Sequence, residues 1–92
     1  MFLGKRIKEL REERGLLQRQ LAAELEIDSP MYSKIERGER RAKREQVLKL
    51  AKLLQADENE LLTLWLAGQI YEIVRDEDVA IAAINFVKTQ IG

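Results

Sequence analysis

The sequence predicts an all-α chain of six helices, and three observations carry that expectation. Pro occurs once and Gly five times in 92 residues, which leaves few helix breakers. Apolar residues recur at three- and four-residue spacing, with little of the β-branched alternation that marks strands. Helix stop and start signals, such as Gly15, Ser29-Pro30 and Gly38, fall between those periodic stretches. With 46% apolar and 35% charged residues, the chain has enough apolar side chains for one compact core and is not disordered by composition.

Each element has its own justification. Leu3, Ile7, Leu10 and Arg14 lie at helical spacing, and Gly15 supplies the C-terminal stop. A second short helix is expected over about 18–25, burying Leu21, Ala22 and Leu25, with Glu26-Ile27-Asp28 as the turn after it. Ser29 is expected to cap the third helix, with Pro30 in its first position, and the helix to run to about Arg37 before Gly38. The fourth, about 44–54, carries Val47, Leu48, Leu50, Ala51, Leu53 and Leu54 on a broad apolar face. Asp57 and Glu60 stand in capping-box positions for a fifth helix. That helix is apolar nearly all round through Ile73 and Val74, which implies burial on more than one side. Arg75-Asp76-Glu77-Asp78 breaks the pattern, and a last helix follows with Val79, Ile81, Ala83, Ile84, Phe86 and Val87. Acidic residues at its start suit the helix dipole.

Composition excludes several functions. The chain has neither Cys nor His, which removes disulfides, thiolate or imidazole catalysis and the usual zinc ligand sets. Ser33 has no imidazole to activate it, and Asp76-Glu77-Asp78 lacks EF-hand spacing. Neither an enzyme, a metal nor a cofactor is expected. Lys5, Arg6 and Lys8 interrupt the first apolar stretch, unlike a signal peptide, and the run Leu61–Ala67 is too short to span a bilayer. A cytoplasmic protein without a membrane partner is the expectation. The formal net charge is zero, but residues 1–56 carry 14 Lys/Arg against 9 Asp/Glu, while residues 57–92 carry 2 against 7. Such asymmetry implies a basic surface for a polyanion and an acidic, apolar surface for something else.

Two short helices joined by a tight turn, with cations gathered around the second, form a helix-turn-helix pattern. Gln18-Arg19-Gln20-Leu21-Ala22, Leu25, Ile27 and Ser33-Lys34-Ile35-Glu36-Arg37-Gly38 resemble the Cro/C1-type (XRE) family of transcriptional regulators. The resemblance is ungapped from Gly15 to Gly38 and implies a five-helix, lambda-repressor-like DNA-binding domain over residues 1–62. A C-terminal helical extension would occupy 63–92. By position in the motif, Ser29, Pro30, Ser33 and Lys34 would face the major groove. Lys34 would donate to guanine O6/N7 or else to phosphate, and Pro30 could offer only apolar contact. Gln18 matches a phosphate-contacting position, and Arg11 matches an Arg that pairs with the equivalent of Glu36. The sequence departs from the family at Leu17 and Lys43, where Thr and Ser caps are usual, and at Glu26, where Gly is common.

The basic cluster has a physical argument of its own. Arg37, Arg40, Arg41, Lys43 and Arg44 place five cations in eight residues, opposed only by Glu39. A solvated basic loop is the ordinary reading of such a run. Lys43 and Arg44, however, stand at a helix start, where positive charge is unfavourable by about 0.3–1 kcal/mol each. Phosphate contact would offset that cost, and with Arg19 these residues form the expected backbone-gripping set.

The extension is expected to build a homodimer on double-stranded DNA through Leu62, Trp65, Leu66, Ile70, Ile73, Ile84 and Phe86, with Trp65 as anchor. The alternative is that the last helix folds back to complete the monomer's own core. A homodimeric, sequence-specific regulator on a pseudo-palindromic operator is the leading functional reading. Resemblance to small regulators beside DNA methyltransferase genes points to restriction–modification control. The rival is an antitoxin or adaptor whose C-terminal helices bind a partner protein.

Overall fold

The computed structural model describes residues 2–92 and is all-helical among them: α1 (Phe2–Glu13), α2 (Gln18–Glu24), α3 (Ser29–Glu36), α4 (Arg44–Leu53), α5 (Glu58–Val74) and α6 (Ala80–Ile91). The first five helices enclose one core. Ile7 of α1, Leu21 of α2, Tyr32 and Ile35 of α3, Val47 and Leu50 of α4, and Leu61 of α5 are buried together. Each occupies the apolar face that helical periodicity gives its element.

Tight turns position these helices. α1, α2, α3 and α4 are each followed by a left-handed residue: Gly15 (φ 66°), Glu26 (φ 61°), Gly38 (φ 76°) and Gln55 (φ 51°). In every case the next amide reaches back to the carbonyl five residues earlier, as in Ile27 N–H to Ala22 O at 3.0 Å and Glu39 N–H to Lys34 O at 2.9 Å. This Schellman closure satisfies the last carbonyls and turns the chain sharply. Two of the four turns therefore do without glycine. Arg14, which the spacing placed with the apolar residues of α1, is exposed and donates from Nε to the Leu54 carbonyl at 2.7 Å, capping the end of α4.

The helix starts at Leu17 and Lys43 lack a capping hydroxyl, as their side chains require. The reciprocal half of the capping box survives at both. Gln20 Oε1 accepts from the Leu17 amide at 2.7 Å, and Gln46 Oε1 accepts from the Lys43 amide at 2.8 Å.

α5 is one uninterrupted helix across residue 62. Its first half buries Leu61 and packs Leu62, Leu64 and Trp65 against the core. Its second half runs past the body, touching it through the Phe2 and Tyr71 rings, 5.5 Å apart and tilted by 58°. After the turn at 75–79, α6 buries no residue. The structure thus does not show the fold-back arrangement, and the molecule is elongated, 42 × 24 × 21 Å. No described helix is long and apolar enough to cross a membrane.

Candidate nucleic-acid interface

The site is built on a buried carboxylate. Glu36, at the last position of α3, has its side chain 2% exposed. Arg11 of α1 grips it with two donors, Nε to Oε2 at 2.7 Å and Nη2 to Oε1 at 3.2 Å. Tyr32 Oη donates to Oε2 at 2.6 Å, and Gln18 Nε2 donates to Oε1 at 3.0 Å. The third Arg11 donor, Nη1, reaches the Leu16 carbonyl at 2.9 Å, holding the α1–α2 turn. One carboxylate therefore ties α1, α2 and α3 together. Burial alone would push the Glu36 carboxyl up. The hydrogen bonds from Arg11, Tyr32 and Gln18 outweigh that and hold it below the usual carboxylate range. Tyr32 shifts the other way: burial, then its bond to the Glu36 carboxylate, push the phenol well above its ordinary value.

The Arg11–Glu36 pair stands as the resemblance implies, and sequence reasoning missed two of its companions. Tyr32 lies one turn before Glu36 on the same helix face, a spacing that could have signalled it. Gln18 was expected to contact phosphate, but its amide is half-buried and committed to Glu36. Gly4 was missed as well. A Cβ there would lie 2.3 Å from the Glu36 carbonyl oxygen and 2.6 Å from that of Ile35, so α1 can reach the end of α3 only because residue 4 has no side chain.

With Tyr32, Ile35 and Glu36 turned inward, α3 presents Ser29, Pro30 and Lys34 outward, with Ser33 half-buried between them. Ser33 Oγ accepts from Arg37 Nη1, which extends the same face by a turn. The structure thus brings the four expected base-reading residues onto one face. The N-cap differs from expectation. Asp28, not Ser29, caps α3, accepting from the Met31 amide at 2.7 Å, and Ser29 and Pro30 occupy the first two helical positions. The carboxylate accepts more strongly there than a hydroxyl would. It also sets a negative charge at the helix start, where the helix dipole favours one.

The basic cluster divides. Arg37 pairs with Glu39 at 2.7 Å, and Arg41 lies 4.0 Å from Glu72 of α5. The Arg44 guanidinium stands 5.6 Å from the centre of the Trp65 ring, within cation–π range. Arg19, Arg40 and Lys43 are exposed and form no ion pair among the described residues. Arg40 and Arg41 also border a cavity of about 200 Å³ that Phe2, Leu64, Trp65 and Gly68 line on its apolar side.

Trp65 departs from its expected role. Its indole Nε1 donates to the Ala42 carbonyl at 2.7 Å, and its ring is half-buried against the core under Arg44. It anchors its own α3–α4 loop, so its donor is committed within the chain. Leu62 is likewise packed on the core. Leu66, Ile70, Ile73, Ile84 and Phe86 are exposed as the expectation required.

Two short helices locked at a fixed angle, the second offering a polar face beside free cations, define a helix-turn-helix protein. A family model of the helix-turn-helix domain matches residues 3–64, and the chain belongs to that family. The five helices that carry the match have the lambda-repressor-like arrangement. No curated protein and no solved structure matches the chain.

Proposed function

We propose that this protein is a homodimeric, sequence-specific DNA-binding transcriptional regulator. One observation carries the reading: α3 holds Ser29, Pro30, Ser33 and Lys34 on a single outward face, fixed from behind by the buried Glu36 cluster. A reading element must be rigid to discriminate bases, because a good bidentate contact contributes only about 1–3 kcal/mol of discrimination. Arg19, Arg40 and Lys43, unpaired and exposed, would grip phosphate and set register. Lys34 would read guanine. Gln18 would act through Glu36, and Arg37, Arg41 and Arg44 would reach phosphate only on leaving Glu39, Glu72 and Trp65.

The operator would be pseudo-palindromic, with half-sites one helical turn apart, and would lie near the protein's own gene. A neighbouring restriction–modification or methyltransferase gene is the preferred target, on the strength of sequence resemblance. One observation supports a second reading: α6 is wholly uncovered and apolar, as a segment that captures a different protein, such as a toxin, would be.

Fluorescence anisotropy with DNA from upstream of the gene and with scrambled DNA, over a salt series, tests the proposal. A preference of at least roughly a thousand-fold supports a specific regulator. Equal, weak binding to both duplexes refutes it and turns attention to a partner of α6.

A further inference from the structure

α6 has almost no tertiary support within one chain. Twelve residues is at the margin for a helix without tertiary support, and none of these is buried. Ile73, Ile81, Phe86 and Ile91 are each more than 65% exposed. The large apolar side chains of residues 66–91 together leave on the order of 1,000 Å² open to water, above the roughly 300–600 Å² of the largest apolar patch on a typical monomer. That area is about one protomer's share of a stable dimer interface.

The sequence of α6 sets the direction of packing. Ala80, Ile84, Val87 and Ile91 form a continuous apolar stripe at helical spacing, with Asn85, Lys88 and Thr89 grouped along its flank. Charge is segregated along the helix: Asp76, Glu77 and Asp78 stand just before it, and Lys88 in its last turn is its one cation. Among the described residues neither Lys88 nor Asp78 has an ion-pair partner.

Resting on the homodimer reading above, we infer that α6 packs antiparallel against α6 of a second copy, about a two-fold axis beside Ile84 and Val87. Each Lys88 then meets the acidic turn of the other chain, and the helix dipoles oppose. A parallel pair would set Lys88 against Lys88 and acidic turn against acidic turn, with dipoles aligned. Because apolar side chains also lie off the stripe, the pair needs a second neighbour, and the exposed Leu66, Ile70 and Ile73 of α5 supply one.

The chain contains no cysteine, so single thiols report the geometry directly. Three full-length variants, Val79→Cys, Ile84→Cys and Ile91→Cys, are treated with a short bifunctional maleimide. Ile84→Cys should link to its own copy. Val79→Cys and Ile91→Cys alone should not, because like ends of an antiparallel pair are separated by about 16–20 Å. Those two variants co-expressed should link to each other. Self-linking at all three positions would overturn the antiparallel arrangement. So would a protein that is dimeric by light scattering but unlinked at Ile84→Cys, although the homodimer reading would survive. A wild-type monomer at all concentrations would overturn both. Charge reversal gives an independent arm: Lys88→Glu should weaken dimerisation roughly ten-fold, since two symmetric pairs are lost, and adding Asp78→Lys should recover most of it. Failure of that recovery would also overturn the pairing.

Discussion

Replacing Glu36 by Gln tests the central joint of the fold with almost no change of shape. The carboxylate accepts four hydrogen bonds, two at each oxygen. An amide nitrogen at either position would face an Arg11 N–H that can only donate, and the Tyr32 hydroxyl or the Gln18 amide would have to turn round to accept from it. At the Oε2 position it would confront Arg11 Nε and Tyr32 Oη. At the Oε1 position it would confront Arg11 Nη2 and Gln18 Nε2. The Arg11 side chain, 11% exposed, would also lose its paired countercharge. Removing one member of a buried pair costs about 3–5 kcal/mol, whereas an exposed pair would cost about 0–1 kcal/mol. A domain of this size has about 5–14 kcal/mol of stability in all, so a loss of about 3–5 kcal/mol on Glu36→Gln is about a fifth of it or more. Urea titration at fixed protein concentration should show a much lower midpoint with an unchanged slope. The acid limb supplies a second readout. The Glu36 carboxyl is held below its ordinary range, so its contribution is complete above the unfolded-state value of about 4.3 and is lost as pH falls through the folded one. The variant should therefore approach wild type in acid and fall furthest behind near neutrality. A cost under about 1 kcal/mol, with no change in the acid profile, would refute the argument that this cluster locks the three helices.

The other predictions are shorter. Gly4→Ala should destabilise the protein by more than about 2 kcal/mol in thermal melts, although alanine is the better helix former by about 1 kcal/mol, because the new methyl group meets two backbone carbonyls. Glu26→Gly should do the opposite, stabilising by about 0.5–1 kcal/mol, since φ 61° suits glycine and Glu26 is exposed. Trp65→Phe keeps the ring under Arg44 but removes the donor to Ala42, and should cost about 1 kcal/mol in denaturant titration while leaving dimerisation unchanged. In anisotropy titrations, Lys34→Ala should erase sequence preference, while Lys43→Ala should weaken specific and random DNA alike and reduce the salt slope by about one.

Much of the fold was legible because it is encoded locally. Apolar spacing located the helices to within a few residues, and Gly15 and Gly38 marked two of the four left-handed turns. The other two, at Glu26 and Gln55, carry no glycine; the backbone closes the same way because the hydrogen bonds that follow the turn outweigh the conformational cost. The outward face of α3 followed from position in the family motif, with Tyr32, Ile35 and Glu36 turned the other way. What escaped depends on residues distant in sequence. Gln18 could not be assigned to Glu36 without knowing the angle between α2 and α3, nor Gly4 to the end of α3. The ownership of Trp65 was hidden too: a large aromatic on an apolar helix reads the same whether its partner is Ala42 of its own chain or another subunit.

That last residue changes how the extension relates to the site. Trp65 bonds the loop at Ala42, Arg44 covers its ring, and Glu72, about two turns further along the same helix, stands near Arg41. The loop that carries Arg40 and Lys43 therefore rests on α5, whose far end leads into α6. A force that shifts α5 must move the loop, because its contacts to Ala42, Arg41 and Arg44 span two turns of one rigid helix. α5 thus links the basic loop to the uncovered apolar end of the molecule. Pairing of α6 with a second copy would fix the α5 helices as well as count the subunits, holding two basic loops and two α3 faces at one separation. A half-site spacing on DNA needs that constancy, and residues 1–62 without the rest of α5 would lack the Trp65 and Glu72 supports.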